Sequence, residues 1–456
     1  MGCSDRAVAR VAAGMLAAVA VACSEEPAAS RSPPRSAPIP RDLVLITLDT
    51  LRADRLGCYG NGRGLTPNLD RIAAEGTRCA SAVAPMPCTA AAHAALFTGL
   101  SPRLHGVTSN LVQARDELVT LAERLRDEGF ATGAFFNAFD FNGLNLVQGF
   151  DACGFDRGRR AELIVPGFAR WLKETAGRRR FAWIHLFIPH GPLDFPAEYG
   201  RFVEHRYDGP VKDDFDVFEK ARVGELELPA EFVANYRDRY DAAVAFTDAR
   251  VGELRGVVER AGSLDSTLLI VLADHGESLE QGTVGLHSPV IREATLHVPL
   301  LLRGPGVPAG RVIDGLVQTM DLAPTIAASL GLLIPSDLEG HDLSPLLLAA
   351  DPAAVAWDRR AISTLPSSFV GKSERDPEAA AVRQGSMKLV LREGGVRELY
   401  DLARDPSEEH DVAAERPDVV RALDAAFAEW TRATSASRRG EPVDAAMQQQ
   451  LRKLGY

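Results

Sequence analysis

The chain has 456 residues, which is long enough for one large α/β domain and a smaller second one. Hydrophobic residues make up 46% of it and charged residues 25%, a balance that excludes wholesale disorder and a polytopic membrane protein. The formal net charge of -11 argues against a nucleic-acid partner, because phosphate backbones are held mainly by Lys and Arg.

The N-terminal residues predict an export signal. Arg6 and Arg10 precede an Ala/Val-rich run over residues 11–22, and this run is too short to span a membrane. It leads into Ala20-Val21-Ala22-Cys23, which resembles a bacterial lipobox, in which the cysteine receives lipid and becomes the mature N-terminus. We therefore expect a signal peptide over residues 1–22 and a lipid on Cys23, with a plain cleaved signal as the alternative.

The expected location is the periplasm or the outer membrane of a bacterium, and the N-terminal lipid is the only membrane contact that we predict. The residues after Cys23 are rich in Pro, Ser, Ala and Arg, a composition that cannot bury a core. A disordered tether is therefore predicted over residues 23–41, and the fold is expected to begin near Asp42.

Strands and helices are predicted to alternate over residues 42–348, the expected catalytic domain. Short apolar runs predict buried parallel strands at Leu43 to Leu48, Ala131 to Phe136, Ala182 to Phe187, Thr267 to Ala273 and Val298 to Arg303. Apolar residues that recur at three and four positions predict helices at Thr66 to Glu75, Leu118 to Glu128 and Asn235 to Ala261. This alternation is typical of an α/β fold with a doubly wound, mostly parallel sheet flanked by helices.

The pattern changes after Leu348, and residues 349–456 predict a small α+β subdomain with a tail. Residues 381–383, 387–390 and 398–401 predict a small C-terminal antiparallel sheet. A helix is expected near Asp418 to Thr431 to close the fold.

Four cysteines lie in the body of the chain, at Cys58, Cys79, Cys88 and Cys153. They form no CxxC pair and no Cys/His spacing of the kind that binds zinc. An exported protein could form disulfides, but spacing does not give their connectivity, and we predict none.

Candidate metal ligands follow two of the predicted strands. Asp49 comes directly after the first strand, and Asp274-His275 comes directly after the fourth. Ligands bind at the carboxyl ends of the strands in open α/β sheets. Two carboxylates and an imidazole brought together at that edge predict a site for a divalent metal.

Collinear motifs extend from Asp42 to about Val420. They are Leu48-Asp49-Thr50-Leu51-Arg52-Ala53-Asp54, Leu56-Gly57-Cys58-Tyr59-Gly60, Leu96-Phe97-Thr98-Gly99, Ala273-Asp274-His275-Gly276-Glu277, Val298-Pro299-Leu300, Arg303-Gly304-Pro305-Gly306, Asp321-Leu322-Ala323-Pro324-Thr325 and Leu399-Tyr400-Asp401-Leu402. Together they resemble the sulfatase family of the alkaline-phosphatase superfamily. The resemblance implies an alkaline-phosphatase-like fold and metal-dependent hydrolysis of sulfate or phosphate esters.

The resemblance also implies the position of the nucleophile. Sulfatases proper place a cysteine ten residues before the Gly of the Thr-Gly pair, within a CxPSR motif, and convert it to formylglycine. Counting back ten from Gly99 gives Thr89. Cys88 is one residue out of register, and it is not followed by the proline and arginine that follow the cysteine in the CxPSR motif. We therefore expect no formylglycine, and an unmodified Thr89 similar to the nucleophile of phosphodiesterase, phosphonate-hydrolase and phosphomutase relatives.

Elementary chemistry is compatible with this role for Thr89. The residue precedes an Ala-rich helical run, so it is expected at a helix N-terminus, where anions are favoured. A metal could lower the pKa of its hydroxyl and position it for attack. The alternative is that Thr89 only caps the helix.

Three histidines complete the implied catalytic set with Thr89. His93 lies four residues after Thr89 on the same helix face, and His190 belongs to a segment similar to the PHxP element of the family. His287 lies twelve residues after His275, where sulfatases place a substrate-binding lysine. We expect His190 and His287 to bind the anion and to protonate the leaving group.

Other polar residues have supporting roles in this interpretation. Asn110 is expected to bind substrate by donating to a non-bridging oxygen. His185, inside a strand, is expected to be a core or supporting histidine, and His105 is expected to stabilise the loop after the nucleophile helix.

One divalent ion is predicted, held by Asp49, Thr89, Asp274 and His275. Thr50 replaces the second Asp of calcium-binding sulfatases, and His275 stands where those enzymes often have Asn. Mn²⁺ or Zn²⁺ therefore fits better than Ca²⁺, which prefers oxygen ligands.

The expected substrate is a small-molecule, glycan or lipid ester, with no nucleic acid involved. One alternative is a catalytically degenerate binding protein, because Ala90-Ala91-Ala92 replaces the Pro-Ser part of the nucleophile motif. Another is a transferase of phospho groups, although such enzymes in this superfamily generally carry several membrane spans, and no span is predicted here.

Overall fold

A computed structural model of the chain describes residues 38–287, 290–365, 379–434 and 440–454. These residues all belong to one compact unit, and the division at residue 348 stays a prediction. The signal peptide, Cys23 and all but the last four residues of the predicted tether lie outside the described residues.

The strands are spread over the whole described chain. They are β1 (Asp42–Leu48), β2 (Thr77–Val83), β3 (Val112–Gln113), β4 (Ala131–Asn137), β5 (Ala152–Asp156), β6 (Arg180–Leu186), β7 (Thr267–Ala273), β8 (His297–Val298), β9 (Leu300–Arg303), β10 (Arg311–Gln318), β11 (Arg360–Leu365), β12 (Ala379–Gln384), β13 (Met387–Arg392), β14 (Arg397–Asp401) and β15 (Glu441–Pro442).

Helices connect most of these strands. They are α1 (Pro67–Glu75), α2 (Thr89–Thr98), α3 (Pro102–His105), α4 (Leu121–Asp127), α5 (Ile164–Glu174), α6 (Phe215–Arg222), α7 (Ala230–Arg260), α8 (Glu293–Leu296), α9 (Leu322–Ser329), α10 (Ser344–Leu348), α11 (Pro417–Ala433) and α12 (Ala445–Leu454). Short 3-10 helices lie at Ala53–Arg55, Gly57–Tyr59, Ala197–Phe202, Leu264–Ser266, Thr319–Asp321, Pro352–Ala354 and Glu393–Gly395.

The central sheet has the strand order β10-β2-β9-β7-β1-β6-β4-β5, with β8 beside β2. The run from β7 to β5 is parallel throughout. Every residue of β1, β4, β6 and β7 is buried, so both faces of these strands are covered, as parallel sheets require. The prediction of a mostly parallel α/β sheet flanked by helices is confirmed.

One predicted strand is wrong. Residues 298–303 were expected to form one parallel strand, but they belong to two short strands, and β9 runs antiparallel to both β7 and β2. Pro299 separates the two strands because it has no N–H to donate to a sheet ladder. Among the described residues between β7 and β8 the helix is the four-residue α8, which is much shorter than the crossover that a parallel strand needs, so the chain re-enters the sheet in the opposite direction.

The small C-terminal sheet is antiparallel, in the order β11-β12-β13-β14, and α11 packs against β12 and β13. The predicted strands correspond to β12, β13 and β14, while β11 was not predicted. Within the described parts of the chain, no helix combines the length and the apolar character needed to cross a membrane. Cys58, Cys79, Cys88 and Cys153 are thiols.

Candidate active site

The sheet brings the predicted metal ligands together. Leu48 at the end of β1 is in register with Ala273 at the end of β7, so Asp49 and Asp274 leave the sheet side by side. One ligand atom from each of Asp49, Asp274 and His275 lies within 4.8 Å of the others, and all three residues are buried. The structure therefore gathers the three ligands that were predicted from the two strand ends.

The donor atoms of this cluster suit a cation. Asp274 Oδ1 accepts from the backbone N–H of His275 at 2.8 Å, but its Oδ2 has no hydrogen-bond partner among the described residues. His275 Nδ1 donates to the carbonyl of Gly276 at 3.0 Å, so Nε2 is the ring nitrogen that faces the cluster. That nitrogen lies 3.8 Å from Asp49 Oδ1 and 3.7 Å from Asp274 Oδ2. Two buried carboxylates beside each other are costly without a positive charge between them, so these residues together with the imidazole nitrogen fit a divalent metal.

The backbone beside the cluster has an unusual conformation at Thr50 and very close packing at Gly276. Thr50 has a φ of 57°, which is uncommon for a β-branched residue, and its N–H points to Asp274 Oδ1 at 3.3 Å. Gly276 lies so close to the segment around Ala294 that a Cβ on it would lie 2.1 Å from the carbonyl oxygen of Ala294. The Asp-His-Gly motif therefore needs glycine at its third position for close packing.

Helix α2 presents Thr89 to the cluster. Thr89 is the first residue of the helix, and its Oγ1 lies 3.3 Å from His275 Nε2. Every residue of the helix is buried, and the helix packs against the 3-10 helix Thr319–Asp321 and α3. The dipole at a helix N-terminus favours an anion at this position.

Cys88 points to a different partner. Its Sγ lies 3.2 Å from Asn110 Oδ1, which also accepts from the backbone N–H of Ala90 at 2.8 Å. Burial raises the pKa of the Cys88 thiol to about 12, so it stays protonated. Asn110 Nδ2 is buried and has no hydrogen-bond partner in the described part of the chain, so it is available to an incoming oxygen.

His93 is held by protein groups at both ring nitrogens. Its Nδ1 donates to the carbonyl of Thr89 at 2.8 Å, and its Nε2 lies 3.0 Å from the hydroxyl of Thr47. Burial lowers the pKa of His93 to about 3, with His185 acting in the same direction. His93 is therefore uncharged at neutral pH, and it holds the backbone carbonyl of Thr89 at the start of α2.

His190 and His287 line up beside His275. The rings of His275 and His287 stack at 4.5 Å between centroids, and His190 meets His287 at 5.2 Å. Burial lowers the pKa of His287 to about 4 and that of His190 well below its usual value. His190 Nδ1 donates to the carbonyl of Gly191 at 2.6 Å, which fixes the orientation of its ring. The predicted substrate-binding histidines thus adjoin the metal cluster, both in the neutral form.

His105 lies apart from this group, buried, with its Nδ1 accepting from the N–H of Val107 at 3.1 Å. It stabilises the turn after α3, in agreement with the supporting role expected for it.

Two polar residues beside the site were missed in the sequence. Glu277 is 1% exposed, and its Oε1 lies 3.5 Å from His287 Nδ1; burial raises its pKa to about 8. The residue belongs to the Asp-His-Gly-Glu motif, which was the available signal. Thr47 lies inside β1 with nothing in the local pattern to distinguish it from a core residue, and its contacts appear only in the folded chain.

The sequence matches known protein families. The model of the family described as Sulfatase matches residues 41–332, and the model described as N-sulphoglucosamine sulphohydrolase, C-terminal, matches residues 287–431. The steryl-sulfatase of Rattus norvegicus is 24% identical, and the alignment covers 84% of this chain and 88% of that protein.

Solved structures share the fold. The phosphonate monoester hydrolase of Agrobacterium radiobacter has a TM-score of 0.71 at 23% identity, over 87% of this chain and 95% of its own. A structure in complex with its substrate D-glucosamine-2-N,6-O-disulfate has a TM-score of 0.71 at 19% identity, over 90% of this chain and all of its own.

Proposed function

This chain belongs to the sulfatase family, and we propose that it hydrolyses sulfate or phosphate esters through an unmodified Thr89 next to one bound divalent metal ion. The observation that carries the proposal is the position of Thr89 Oγ1, which begins a buried helix and lies 3.3 Å from His275. The protein is a sulfuric or phosphoric ester hydrolase, and its preferred substrate will assign the ester type.

The proposed metal ligands are Asp49, Asp274 and His275, with the Thr89 hydroxyl as the fourth group. When bound, the divalent ion supplies positive charge that offsets the charge of the ester and of its transition state. A mixed set of carboxylate and imidazole donors favours Mn²⁺ or Zn²⁺ over Ca²⁺.

Water is the only reactant besides the ester in the proposed covalent steps. Thr89 Oγ1 forms a bond to phosphorus or sulfur while the bond to the alcohol oxygen breaks. The proton that leaves Thr89 balances the proton that the alcohol takes, and neutral His190 and His287 are suited to carry it. Water then breaks the Thr89 ester, releases phosphate or sulfate and restores the hydroxyl.

Other residues orient the reacting groups. Asn110 Nδ2 is placed to donate to a non-bridging oxygen, since its Oδ1 is already engaged by the start of α2. His93 positions Thr89 through the backbone carbonyl of that residue. The register of Cys88 and its contact with Asn110 support Thr89 as the nucleophile and an unmodified cysteine beside it.

The test is hydrolysis of p-nitrophenyl phosphate, a p-nitrophenyl phosphodiester, a phosphonate monoester and p-nitrophenyl sulfate, each with Mn²⁺, Zn²⁺ or Ca²⁺. We expect Thr89→Ala to abolish turnover and Cys88→Ala, the matched neighbour, to retain it. Loss of activity in Cys88→Ala with retention in Thr89→Ala would contradict the proposed nucleophile. The preferred substrate assigns the ester class, for which small-molecule, glycan and lipid esters are all candidates.

The proposed location is the periplasm or the outer membrane, with a lipid on Cys23. The support is the Ala20-Val21-Ala22-Cys23 sequence after an apolar run. Cells grown with labelled fatty acid should label the wild-type chain and not Cys23→Ala; equal labelling of both chains would refute the assignment.

A further inference from the structure

Two loops meet beside His190. Residues 157–160 follow β5, and residues 187–194 follow β6 and contain His190. Both strands pair with β4 in the parallel direction, so both loops leave the sheet at its carboxyl edge, where the metal cluster also lies. The first loop carries arginines that contact the second loop, and these contacts can therefore act on His190.

Arg159 binds three successive carbonyls of the second loop. Its Nη2 lies 3.2 Å from the carbonyl oxygen of His190, 2.5 Å from that of Gly191 and 3.1 Å from that of Pro192. These oxygens share the hydrogens of Nη2, and the positive charge of the guanidinium strengthens each bond. One side chain thus holds the turn formed by residues 190–192.

The carbonyl of Gly191 connects Arg159 to the imidazole of His190. It accepts from Arg159 Nη2 and also from His190 Nδ1, the latter at 2.6 Å. A carbonyl oxygen has two lone pairs, so it can accept from both donors at once. Because Nδ1 is bound to this carbonyl, the role proposed for His190 falls to Nε2, and a shift of the carbonyl would turn the ring.

Phe187 gives a second connection between the same two side chains. Its ring centroid lies 4.6 Å from Arg159 Cζ and 4.6 Å from the ring centroid of His190, and Phe187 is 0% exposed. A guanidinium over an aromatic face is held there by a cation–π attraction. The His190 ring is therefore supported at Nδ1 by a carbonyl that Arg159 binds and on its side by a ring that Arg159 covers.

We propose that Arg159 is a positioning residue for His190, which fixes the orientation in which the imidazole adjoins His287. This inference rests on the proposed function, because His190 binds the ester and carries a proton in that reaction. A planar guanidinium suits this role, since an ammonium is a point charge that could not bind several carbonyls and stack on a ring at the same time.

Arg160 is the matched control. It follows Arg159 in the same loop but binds the carboxylate of Asp194, whose Oδ1 lies 3.0 Å from its Nε and 2.6 Å from its Nη2. The two side chains of this pair are 41% and 38% exposed, so the pair contributes about 1 kcal/mol or less to stability. Arg160→Gln removes the same charge from the same loop and leaves the contacts of Arg159 in place.

A double-mutant cycle tests whether Arg159 acts through His190. The quantity measured is kcat/KM of the full chain for its preferred ester, with and without His190→Ala. Arg159→Gln is expected to lower kcat/KM about 10-fold or more when His190 is present, and less than about 2-fold in the His190→Ala chain. Arg160→Gln should change kcat/KM less than about 2-fold in both chains.

The outcomes separate this inference from the proposed function. Equal losses from Arg159→Gln in both chains, no loss in either, or an equally large loss from Arg160→Gln would overturn the inference and leave the hydrolase proposal intact. A wild type that cleaves none of the esters would overturn both.

Hydrogen exchange of the metal-free full chain, followed by mass spectrometry, needs no turnover. The backbone N–H of His190 donates to the carbonyl of Phe187 at 3.0 Å and so reports on the turn. We expect it to exchange about 10-fold faster or more in Arg159→Gln, and at the wild-type rate in Arg160→Gln. Unchanged exchange in Arg159→Gln, with the fold verified by circular dichroism, would show that Arg159 does not hold the turn.

Discussion

Lys388 joins the C-terminal sheet to the segment that carries the site histidines. It lies on β13, is 1% exposed, and its Nζ lies 2.8 Å from Glu408 and 3.1 Å from Glu293. Glu293 begins α8, which follows His287 in the chain. We predict that Lys388→Met destabilises the protein at neutral pH although the methionine keeps the unbranched stem.

The magnitude follows from the charges that the substitution would leave behind. Removing one partner of a buried ion pair costs about 3–5 kcal/mol, because the other charge stays buried. Arg383 still contacts Glu293 at 2.7 Å, so most of the cost falls on Glu408, and we expect the low end, about 3 kcal/mol.

The loss is expected to depend on pH. Burial raises the pKa of Glu293, but Lys388 and Arg383 outweigh this and lower it from 4.5 to about 2. A depressed carboxyl pKa stabilises the fold above pH 4.5, and this stabilisation, about 3 kcal/mol in the wild type, is lost as the pH falls towards 2. The difference between wild type and Lys388→Met should therefore shrink as the pH falls below 4.5.

Urea unfolding followed by circular dichroism measures these differences at pH 7 and pH 4. Lys173→Met, an exposed lysine on α5, is the matched control and should stay within about 0.5 kcal/mol of wild type. Adding Glu408→Gln to Lys388→Met should recover part of the loss. A loss below about 1 kcal/mol at pH 7 would refute the argument that this ammonium compensates two buried carboxylates.

Three further predictions concern the site. Excess Mn²⁺ should stabilise the chelator-treated protein by about 2.7 kcal/mol at 100 times its Kd, measured by thermal unfolding, and no shift would argue against the Asp49–Asp274 metal site. In the metal-free protein the pKa of Glu277 is raised to about 8, so this residue keeps a proton that the unfolded chain has lost. The free energy of unfolding of the wild type, measured with urea, should therefore fall from pH 6.5 to 8. The same fall in Glu277→Gln would contradict this. His93→Asn should lower kcat on the order of 100-fold with little change in KM, since it positions Thr89, and a pure KM effect in steady-state kinetics would exclude that role.

Much of the fold could be predicted because the pattern of apolar residues records burial. The runs that became β1, β4, β6 and β7 are continuous and apolar, as strands covered on both faces must be. The partly exposed strands β2, β5 and β11 were missed, since their alternating or interrupted burial gives a weaker signal. The direction of β9 could not be predicted, because it depends on where the preceding segment runs and not on the strand's own residues.

The sequence by itself predicted the cluster of Asp49, Asp274 and His275, because polar residues directly after apolar strands are a local feature. The register of Thr89 was implied by the resemblance to the sulfatase family and stays a prediction. Only the tertiary structure decided the partners of Thr47, Arg159 and Lys388. These contacts join residues that are distant in the chain, and strand order and register determine which of them meet. Periodicity reports which side of an element is buried, but it carries no information on the neighbour across the sheet, and hydrogen-bond directions in a buried network follow from those neighbours.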